Sequence, residues 1–301
     1  YFRAQLKKEL ATTLQAYKKP NGEAYDLYKD GLIVHTTLDS QMQKYAEQAM
    51  QSHLSKLQQD YEASYGDKAP WQTNKKLIDK AIKMLPEYKR FEASGLEHEQ
   101  IIDSLSIKHD VQLFDWSDTK KHNISTIDSL KHHLKFLNTG MIALDPKSGA
   151  IRSYIGGIDY RFYKYDHVAQ SQRQVGSTFK PFVYTAAIDN GMEPCTYFSP
   201  EAITYTDYKN WTPTNSGVSN VDPHINYNLE KALSQSLNTI AVTVLKQVGI
   251  DKVLKQAKRL GISSMLPNQP SLALGVAEIN ILELAGAYAS YVNNSQSVKP
   301  Y

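Results

Sequence analysis

The stretch that most constrains the fold is RQVGSTFKPFVYTAAIDNG at residues 173–191, because it predicts a helix with one apolar face. From Ser177 onward, apolar side chains recur at helical spacing, and a face of this kind must pack into a core. Pro181 falls in the first turn, where a missing backbone N–H costs least. Asn190-Gly191 ends the pattern with a residue that tolerates positive φ. The predicted apolar face consists of Phe179, Phe182, Val183, Ala186 and Ala187.

Ser177 and Lys180 stand three residues apart at the start of this helix, so their side chains point the same way. The positive end of the helix dipole favours a developing oxyanion at Ser177. A serine hydroxyl is a poor nucleophile until a base takes its proton, and Lys180 can be that base only when it is neutral. Because the reference pKa of lysine is about 10.4, burial or a cationic neighbour is needed to lower it.

A second copy of the Ser-x-x-Lys spacing, Ser117 to Lys120, shows how unspecific this spacing is. The second copy lies in a polar stretch without a helical pattern. A helix-capping or surface serine is therefore the better explanation of either copy, as long as the spacing is taken alone.

The segment NLEKALSQSLNTIAVTVLKQVG at residues 228–249 is helical by pattern but holds Ser236 and Asn238 in its middle. Residues two apart point in different directions on an unbroken helix. Both polar side chains can face one site only if the helix breaks there, and Leu237 then points into the core between them. A continuous helix with two ordinary polar positions is the alternative, and the pattern alone favours it.

Several segments, all in the same order, resemble the transpeptidase part of class A penicillin-binding proteins. These segments are RQVGSTFKPFVYTAAIDNG, ALSQSLNTIAV and SLALGVAEINILELAGAYASYVN. GLIVHTTLDSQMQKYAEQAM is similar to the segment that joins the family's glycosyltransferase and transpeptidase domains, and YFRAQLKKEL resembles the last glycosyltransferase helix. The resemblance implies an α/β (α+β) fold of the penicillin-binding-protein and serine β-lactamase type. Such a fold has a central antiparallel sheet flanked by helices, with the C-terminal strands missing from this chain.

By that resemblance, Ser177 is the acylated nucleophile and Lys180 is its base or proton shuttle. Ser236 relays a proton toward Lys180 and the leaving amine, and Asn238 holds the peptide backbone of the substrate. The backbone N–H of Ser177 supplies half of the oxyanion hole.

Three further residues, Gly176, Thr178 and Trp211, are predicted to bind substrate. For Trp211 a half-buried packing role is the alternative, and it is the stronger explanation of that residue alone. The implied substrate is the D-Ala-D-Ala end of a peptidoglycan stem peptide, with an amine of a neighbouring stem as acceptor. β-Lactam antibiotics imitate the same acyl donor. No cofactor and no metal are expected.

The family's third motif, Lys-Thr/Ser-Gly downstream of Ser-x-Asn, has one counterpart in this chain, at residues 147–149. It precedes Ser177 and lies between two predicted strands, where Asp145-Pro146 supplies turn chemistry. We therefore expect a turn there and not the catalytic triplet. Nothing after Asn238 supplies another copy, so the chain by itself is expected to lack half of the oxyanion hole and not to be fully active.

Changes in composition and the resemblance together predict four regions. They are residues 1–15 as the end of the glycosyltransferase domain, 16–57 as an inter-domain linker, 58–135 as a charged and mostly helical insertion, and 136–301 as the N-terminal part of the transpeptidase domain. The linker is predicted to contain a strand at residues 31–39 and a helix capped by Ser40 with Gln43. DVQLFDWSD, within the insertion, is predicted to form half of a hairpin.

Composition excludes some classes of function and leaves others open. The net charge of +3, without a long basic run, does not indicate a nucleic-acid partner. The single cysteine, Cys195, cannot form an internal disulfide and is predicted to be a small buried residue. Five histidines in the insertion lack metal-ligand spacing and are predicted to be solvated: His98, His109, His122, His132 and His133.

The resemblance implies a place at the extracytoplasmic (periplasmic) face of the bacterial inner membrane, with an anchor outside this chain. The parent protein is also expected to polymerise glycan, through an active site that this chain does not contain. Two alternatives stay open. One is a D,D-carboxypeptidase or β-lactamase that uses water as acceptor, and the other is a non-catalytic scaffold whose 58–135 insertion binds cell-wall synthesis proteins.

Overall fold

The computed structural model describes residues 1–117, 119–215 and 221–301. The chain forms two compact units and passes between them more than once. The first unit comprises Tyr1–Tyr25, Asp39–Gly140 and Ile155–Tyr165, and the second comprises Asp26–Leu38, Met141–Tyr154 and Asp166–Tyr301.

The first unit is mostly helical and contains one β-hairpin. Its elements are α1 (Phe2–Leu14), α2 (Ser40–Tyr65), α3 (Pro70–Thr73), α4 (Lys75–Lys83), α5 (Pro86–Ala93), α6 (His98–Leu105), β1 (Lys108–Leu113), β2 (Lys120–Ser125) and α7 (Thr126–Leu134). β1 and β2 pair antiparallel, with Lys108 opposite Ser125 and Leu113 opposite Lys120. Residues 110–113 of the stretch DVQLFDWSD thus form part of one strand of a hairpin, as predicted, whereas Asp118 lies outside the described residues.

The beginning of α2 differs from the sequence prediction. The N-cap is Asp39, whose carboxylate accepts hydrogen bonds from the backbone N–H groups of Gln41 and Met42. Ser40 is instead the first residue of the helix. The prediction of Ser40 as the cap was wrong by one residue, because an aspartate in the preceding position satisfies the same N–H groups.

The strand predicted for residues 31–39 is also not formed. This segment forms no backbone ladder and is held by hydrogen bonds that involve side chains. Thr37 Oγ1 donates to the carbonyl of Ile151 at 2.9 Å, and Arg152 Nη1 donates to the carbonyl of Thr37 at 3.3 Å. The β-branched residues that suggested a strand remain solvent-accessible, since Ile33 is 84% exposed.

Two of the five histidines in the first unit are not solvated as predicted. His132 Nε2 lies 2.7 Å from the carbonyl oxygen of Phe114, and His133 Nδ1 lies 3.2 Å from the hydroxyl of Tyr163. The ring of His132 packs edge-on against Phe136 and that of His133 against Tyr163, and burial lowers the pKa of each imidazole. The hydrogen-bond partners Phe114 and Tyr163 lie 18 and 30 residues away in sequence, which explains why local patterns did not indicate this.

The second unit combines helices with short two-stranded sheets. Its elements are β3 (Met141–Leu144), β4 (Ile151–Ile155), β5 (Arg173–Gln174), α8 (Lys180–Asp189), β6 (Tyr197–Phe198), β7 (Tyr227–Asn228), α9 (Leu229–Ser234), α10 (Asn238–Val248), α11 (Ile250–Arg259), β8 (Glu278–Ile279) and α12 (Ile281–Ala289). In the described part of this unit the strand pairs are β3 with β4, β5 with β8 and β6 with β7.

The connection between β3 and β4 is a tight turn, as predicted. Asp145 Oδ1 accepts hydrogen bonds from the backbone N–H groups of Lys147 and Ser148 at 2.9 and 3.1 Å. Gly149 has φ +84°, which a residue with a side chain rarely adopts. Turn geometry therefore accounts for the Lys-Ser-Gly string at this position.

The core of the second unit lies between α8, α10 and α11. The predicted apolar face of α8 and its preceding turn is buried throughout, and α10 contributes Ile240, Ala241, Val244 and Leu245 with no exposed surface. Gly191 follows α8 with φ +88°, as predicted for its end. Cys195, which was predicted to be buried, is exposed because it lies in the loop between α8 and β6.

Within the described residues, no helix combines the length and apolar character required to cross a bilayer.

Candidate active site

Ser177 lies on a short 3₁₀ turn, Gly176–Phe179, that leads directly into α8. Its side chain is exposed, whereas Phe179 is fully buried and anchors the turn to the core. The turn is also held by the side chains around it. Thr178 Oγ1 donates to the carbonyl of Val175 at 2.6 Å, and Tyr288 of α12 donates its hydroxyl hydrogen to the carbonyl of Thr178 at 2.6 Å.

A glycine far along the chain also fixes the position of this turn. The backbone N–H of Val175 donates to the carbonyl of Ala277 at 3.1 Å, and that of Gly176 donates to the carbonyl of Gly275 at 2.9 Å. Gly275 has φ +69°, and a Cβ placed there would lie 1.8 Å from the carbonyl oxygen of Gly176. Only glycine allows this approach of two backbones. Sequence reasoning did not identify Gly275, although it lies in the quoted segment SLALGVAEIN.

The helical segment 228–249 breaks at the Ser-Leu-Asn triplet. α9 ends at Ser234 and α10 begins at Asn238. Ser236 has φ +55°, which is a strained value for a residue other than glycine, and Leu237 is fully buried. The prediction that Ser236 and Asn238 face one site only if the helix breaks is therefore confirmed, and the alternative of a continuous helix was wrong.

Lys180 brings the two helical segments together. Its side chain is fully buried. In the described part of the chain, its Nζ donates three hydrogen bonds: to the carbonyl of Ser236 at 2.5 Å, to Ser236 Oγ at 2.8 Å and to Asn238 Oδ1 at 2.7 Å. The three residues predicted from two separate motifs thus form one hydrogen-bonded group.

All three partners of Lys180 are uncharged, so burial of the ammonium is not balanced by an opposite charge among them. Burial lowers the pKa of Lys180 to about 8. Roughly a tenth of the lysine is then neutral at pH 7, compared with well under a thousandth at the reference pKa. Lys180 is consequently able to accept a proton near neutral pH.

Ser177 and Lys180 lie three residues apart across the junction of the 3₁₀ turn and α8, and they are not hydrogen-bonded to each other. Within the described residues, Ser177 Oγ has no hydrogen-bond partner, and the donors of Lys180 are directed to Ser236 and Asn238. The serine hydroxyl is thus exposed, while the Lys180 side chain is held by Ser236 and Asn238. Catalytic hydrogen bonds are often incomplete before substrate binds.

Asn238 is held by a loop that sequence reasoning did not weigh. Its Nδ2 donates to the carbonyl of Thr214 at 2.8 Å, and its backbone N–H donates to Asn215 Oδ1 at 2.8 Å. Both partners follow Trp211 in the stretch TPTN at residues 212–215, and only the tryptophan was considered as a site residue. No local pattern signals these contacts, because the partners lie 23 or 24 residues apart.

The predicted substrate-binding residues lie in two different settings. Gly176 and Thr178 flank Ser177 on the 3₁₀ turn. Trp211 is half-buried, stacks on Tyr205 with ring centroids 6.0 Å apart, and packs against the core of the second unit. Its described contacts are therefore those of a packing residue. Among the described residues, no cluster of His, Cys, Asp or Glu side chains is arranged to hold a metal ion.

Comparison with known proteins gives two family matches. Residues 139–301 match the family model described as penicillin binding protein transpeptidase domain. Residues 66–137 match a second model, described as penicillin-binding protein middle domain. The second match covers most of the segment predicted as an insertion.

Curated relatives with the name penicillin-binding protein 1A match parts of this chain or all of it. The protein of Pseudomonas aeruginosa is 36% identical over 167 residues, which is 54% of this chain and 20% of that protein. Those of Vibrio cholerae and Rickettsia typhi are 27% and 26% identical, and they match 91% and 100% of this chain. The chain spans between 20% and 40% of the length of these three relatives.

The crystal structure of penicillin-binding protein 1A from Haemophilus influenzae is similar to 98% of this chain, with a TM-score of 0.64. The match covers 47% of that chain, and the sequences are 22% identical. At this identity the likeness concerns the fold, and it confirms the fold class predicted from the sequence.

Proposed function

The chain belongs to the penicillin-binding protein transpeptidase family, as its resemblance to the class A members predicted, and on this premise we propose that it carries the serine acyl-transfer centre of a peptidoglycan D,D-transpeptidase. The donor is the D-Ala-D-Ala end of a stem peptide. The acceptor is an amine of a neighbouring stem, and β-lactam antibiotics enter the same centre as acyl donors.

The observation that carries this proposal is the environment of Lys180. A fully buried lysine with a pKa near 8 lies one helical turn from an exposed serine, and its only hydrogen-bond partners in the described chain are Ser236 and Asn238. Burial of a lysine without a counter-ion costs stability, so a structural role alone does not explain it. A base for Ser177 does explain it.

In the proposed acylation, Ser177 Oγ attacks the carbonyl carbon of the penultimate D-Ala and neutral Lys180 takes the hydroxyl proton. The backbone N–H of Ser177 stabilises the oxyanion. Lys180 then returns a proton through Ser236, whose Oγ lies 2.8 Å from Nζ, to the nitrogen of the departing D-Ala. The peptide C–N bond breaks, an ester to Ser177 forms, and free D-Ala leaves.

Deacylation reverses these roles with a different amine. The acceptor amine attacks the ester carbonyl, and its surplus proton passes to the same Ser236 and Lys180 pair. Ser177 leaves with a proton from Lys180, and the new peptide bond is the cross-link. Asn238 uses one amide N–H on Thr214, which leaves the second for the peptide backbone of the substrate. Gly176, Thr178 and Trp211 are proposed to line the site.

The wider setting of this centre is also part of the proposal. Because peptidoglycan is assembled outside the cytoplasm, the protein is placed at the extracytoplasmic face of the inner membrane. We propose that the parent protein is anchored in that membrane and also polymerises glycan. Residues 58–135 are proposed to contact other cell-wall synthesis proteins, and the four predicted regions are retained as the proposed division of the chain.

The test is the intact mass of the protein, expressed from its complete gene, after incubation with benzylpenicillin. We expect a lasting adduct of one equivalent on the parent protein and no adduct on Ser177→Ala. The matched control is Ser117→Ala, which removes the serine of the other Ser-x-x-Lys copy and should be acylated like the parent. Circular dichroism and thermal unfolding establish that each variant is folded.

Three other outcomes would change the conclusion. Consumption of penicillin without an adduct would favour a hydrolase that uses water as acceptor. An adduct that persists on Ser177→Ala would place the nucleophile elsewhere. A folded parent that neither forms an adduct nor consumes penicillin would favour the non-catalytic scaffold.

A further inference from the structure

The N-terminus of α10 is capped from a distant loop. The N-cap residue of α10 is Leu237, whose side chain has no group that can accept a hydrogen bond. The first N–H groups of a helix have no partner within the helix and need one from outside. Here Asn215 Oδ1 accepts from the backbone N–H of Asn238 at 2.8 Å and from that of Thr239 at 3.1 Å. A residue 23 positions before Asn238 therefore takes the place of the local cap.

The orientation of Asn215 is itself fixed. Its Nδ2 donates to Thr239 Oγ1 at 3.1 Å, and that hydroxyl donates to the carbonyl of Pro200 at 2.9 Å. Thr239 is only 3% exposed, so its hydroxyl group is shielded from water. A flipped amide would direct its NH₂ group at two backbone N–H groups, which is repulsive. Asn215 therefore has one favourable orientation.

The same loop sets the orientation of the Asn238 side chain. Thr214, the neighbour of Asn215, accepts the Asn238 Nδ2 hydrogen bond with its carbonyl, and this turns Asn238 Oδ1 toward Lys180 Nζ at 2.7 Å. If Asn238 were rotated, its NH₂ group would face the lysine, and donor would oppose donor. The loop thus sets the orientation of Asn238 Oδ1, which accepts a hydrogen bond from the buried Lys180.

Asn215 differs in this respect from the other asparagine caps of the described chain. Asn74, Asn228 and Asn280 each accept a hydrogen bond from the backbone N–H three residues later, at the start of their own helices. None of those capped residues is a hydrogen-bond partner of Lys180. Among these four asparagines of the described chain, only Asn215 caps a helix whose first residue, Asn238, is a hydrogen-bond partner of Lys180.

We propose that Asn215 is a positioning residue of the acyl-transfer centre, which holds Asn238, and through Asn238 also Lys180, from a loop outside the Ser-x-x-Lys and Ser-x-Asn motifs. This inference rests on the proposed function for its catalytic consequence. The dependence of the Asn238–Lys180 hydrogen bond on Asn215 is a matter of geometry and does not rest on the proposed function.

The first experiment measures the rate of acylation by benzylpenicillin in Asn215→Ala and Asn215→Asp. Asn215→Ala removes the acceptor, and we expect acylation to slow by about tenfold or more. Asn215→Asp keeps an acceptor for both N–H groups, and the helix N-terminus favours its charge, so its rate should stay within about threefold of the parent. Asn74→Ala loses a helix cap of the same kind and should acylate at the parental rate. Equal rates for Asn215→Ala and the parent would overturn the inference.

A double-mutant cycle separates positioning from a general loss of stability. If Asn215 acts through Asn238, then adding Asn215→Ala to Asn238→Ala should change the acylation rate by less than about twofold. Independent effects that multiply to the full product of the two single variants would contradict the proposal. If Asn215→Ala does not fold, Asn215→Gln replaces it in both experiments. The longer side chain keeps the amide but displaces it by one methylene, and the same results are expected.

A crystal structure of Asn215→Ala tests the geometry without reference to acylation. We expect the distance from Lys180 Nζ to Asn238 Oδ1, 2.7 Å in the parent, to exceed 3.5 Å in the variant. A distance that remains near the parental value would contradict the inference. If the parent protein forms no penicillin adduct, the proposed function fails, while this distance still decides whether Asn215 positions Asn238 and Lys180.

Discussion

Two segments of the chain place a serine three residues before a lysine, and their surroundings differ. In the first unit, Ser117 lies in the connection between β1 and β2, where its N–H and its hydroxyl both donate to Asp115 Oδ1 at 3.0 Å. Lys120 begins β2 and is exposed. The hydrogen bonds from Ser117 lower the pKa of Asp115, so the carboxylate beside this serine is a weak base.

In the second unit the same spacing straddles the junction of a 3₁₀ turn and α8. There the serine is exposed and the lysine is buried, with uncharged partners from a broken helix. Burial lowers the pKa of Lys180 to about 8. The comparison shows that the Ser-x-x-Lys spacing only makes the two side chains point the same way. The lowered pKa of the lysine depends on the segment around Ser236 and Asn238 that packs against it.

The largest expected effect is the difference between the two lysines. Lys180→Met should slow acylation by penicillin by about a thousandfold, because it removes the proposed base for the Ser177 proton. Lys120→Met should leave the rate unchanged. Stopped-flow or quenched mass measurements on folded variants give both rates. Comparable losses in the two variants would remove the distinction between the segments.

The next largest effect concerns the support of the serine turn by Gly275. Gly275→Ala should destabilise the protein by at least about 3 kcal/mol and reduce the rate of acylation strongly. The added Cβ would clash with the backbone of Gly176, and alanine is also strained at the positive φ of this position. Gly191 also has a positive φ, +88°, but no atom lies within 4 Å of a Cβ placed there. Gly191→Ala should cost only about 1 kcal/mol, and its acylation should be normal. Chemical denaturation checks the prediction, which fails if the two glycines respond alike.

A third prediction concerns pH. In the proposed mechanism neutral Lys180 is the active form, and burial lowers its pKa to about 8, so the rate of acylation should rise about tenfold from pH 7 to pH 9 and then level off. The rate should rise with pH because Lys180 loses its proton as pH increases, and only the neutral amine can accept the proton of Ser177. Lys120→Met should retain the same profile. A flat profile across this range would mean that Lys180 is not the group that titrates.

The smallest expected effect is in the control segment. Ser117→Ala removes one exposed hydroxyl, while the Ser117 N–H still donates to Asp115, so stability at pH 7 should change by no more than about 0.5 kcal/mol. Thermal unfolding of the parent and the variant measures it. A loss of several kcal/mol would show that this hairpin depends on Ser117 more than its contacts indicate.

Local patterns predicted a good part of the second unit. The apolar face of α8, the end of that helix at Gly191 and the turn before Gly149 all follow from residues near one another in the chain. The same kind of reasoning failed for the strand at residues 31–39 and for Cys195. In those places, contacts with distant segments or an exposed loop overrode local preference.

The candidate site was only partly predictable, for the same reason. Ser236 and Asn238 were recognised through the resemblance, and the helix break between them was predicted only as a condition. Asn215 and Gly275 were missed altogether. Each acts on a residue far away in sequence: Asn215 on Asn238, and Gly275 on Gly176. A cap from another segment and a close approach of two backbones leave no trace in local periodicity.

The amino-acid sequence by itself determined the apolar face of α8, the end of that helix, the turn between β3 and β4 and the family to which the chain belongs, because each depends on neighbouring residues or on the order of motifs. Only the tertiary structure decided that Lys180 is buried among uncharged partners, with its pKa near 8. The physical reason is that desolvation depends on everything packed around a group. For Lys180 those neighbours include two residues of another helical segment, 56 and 58 positions away.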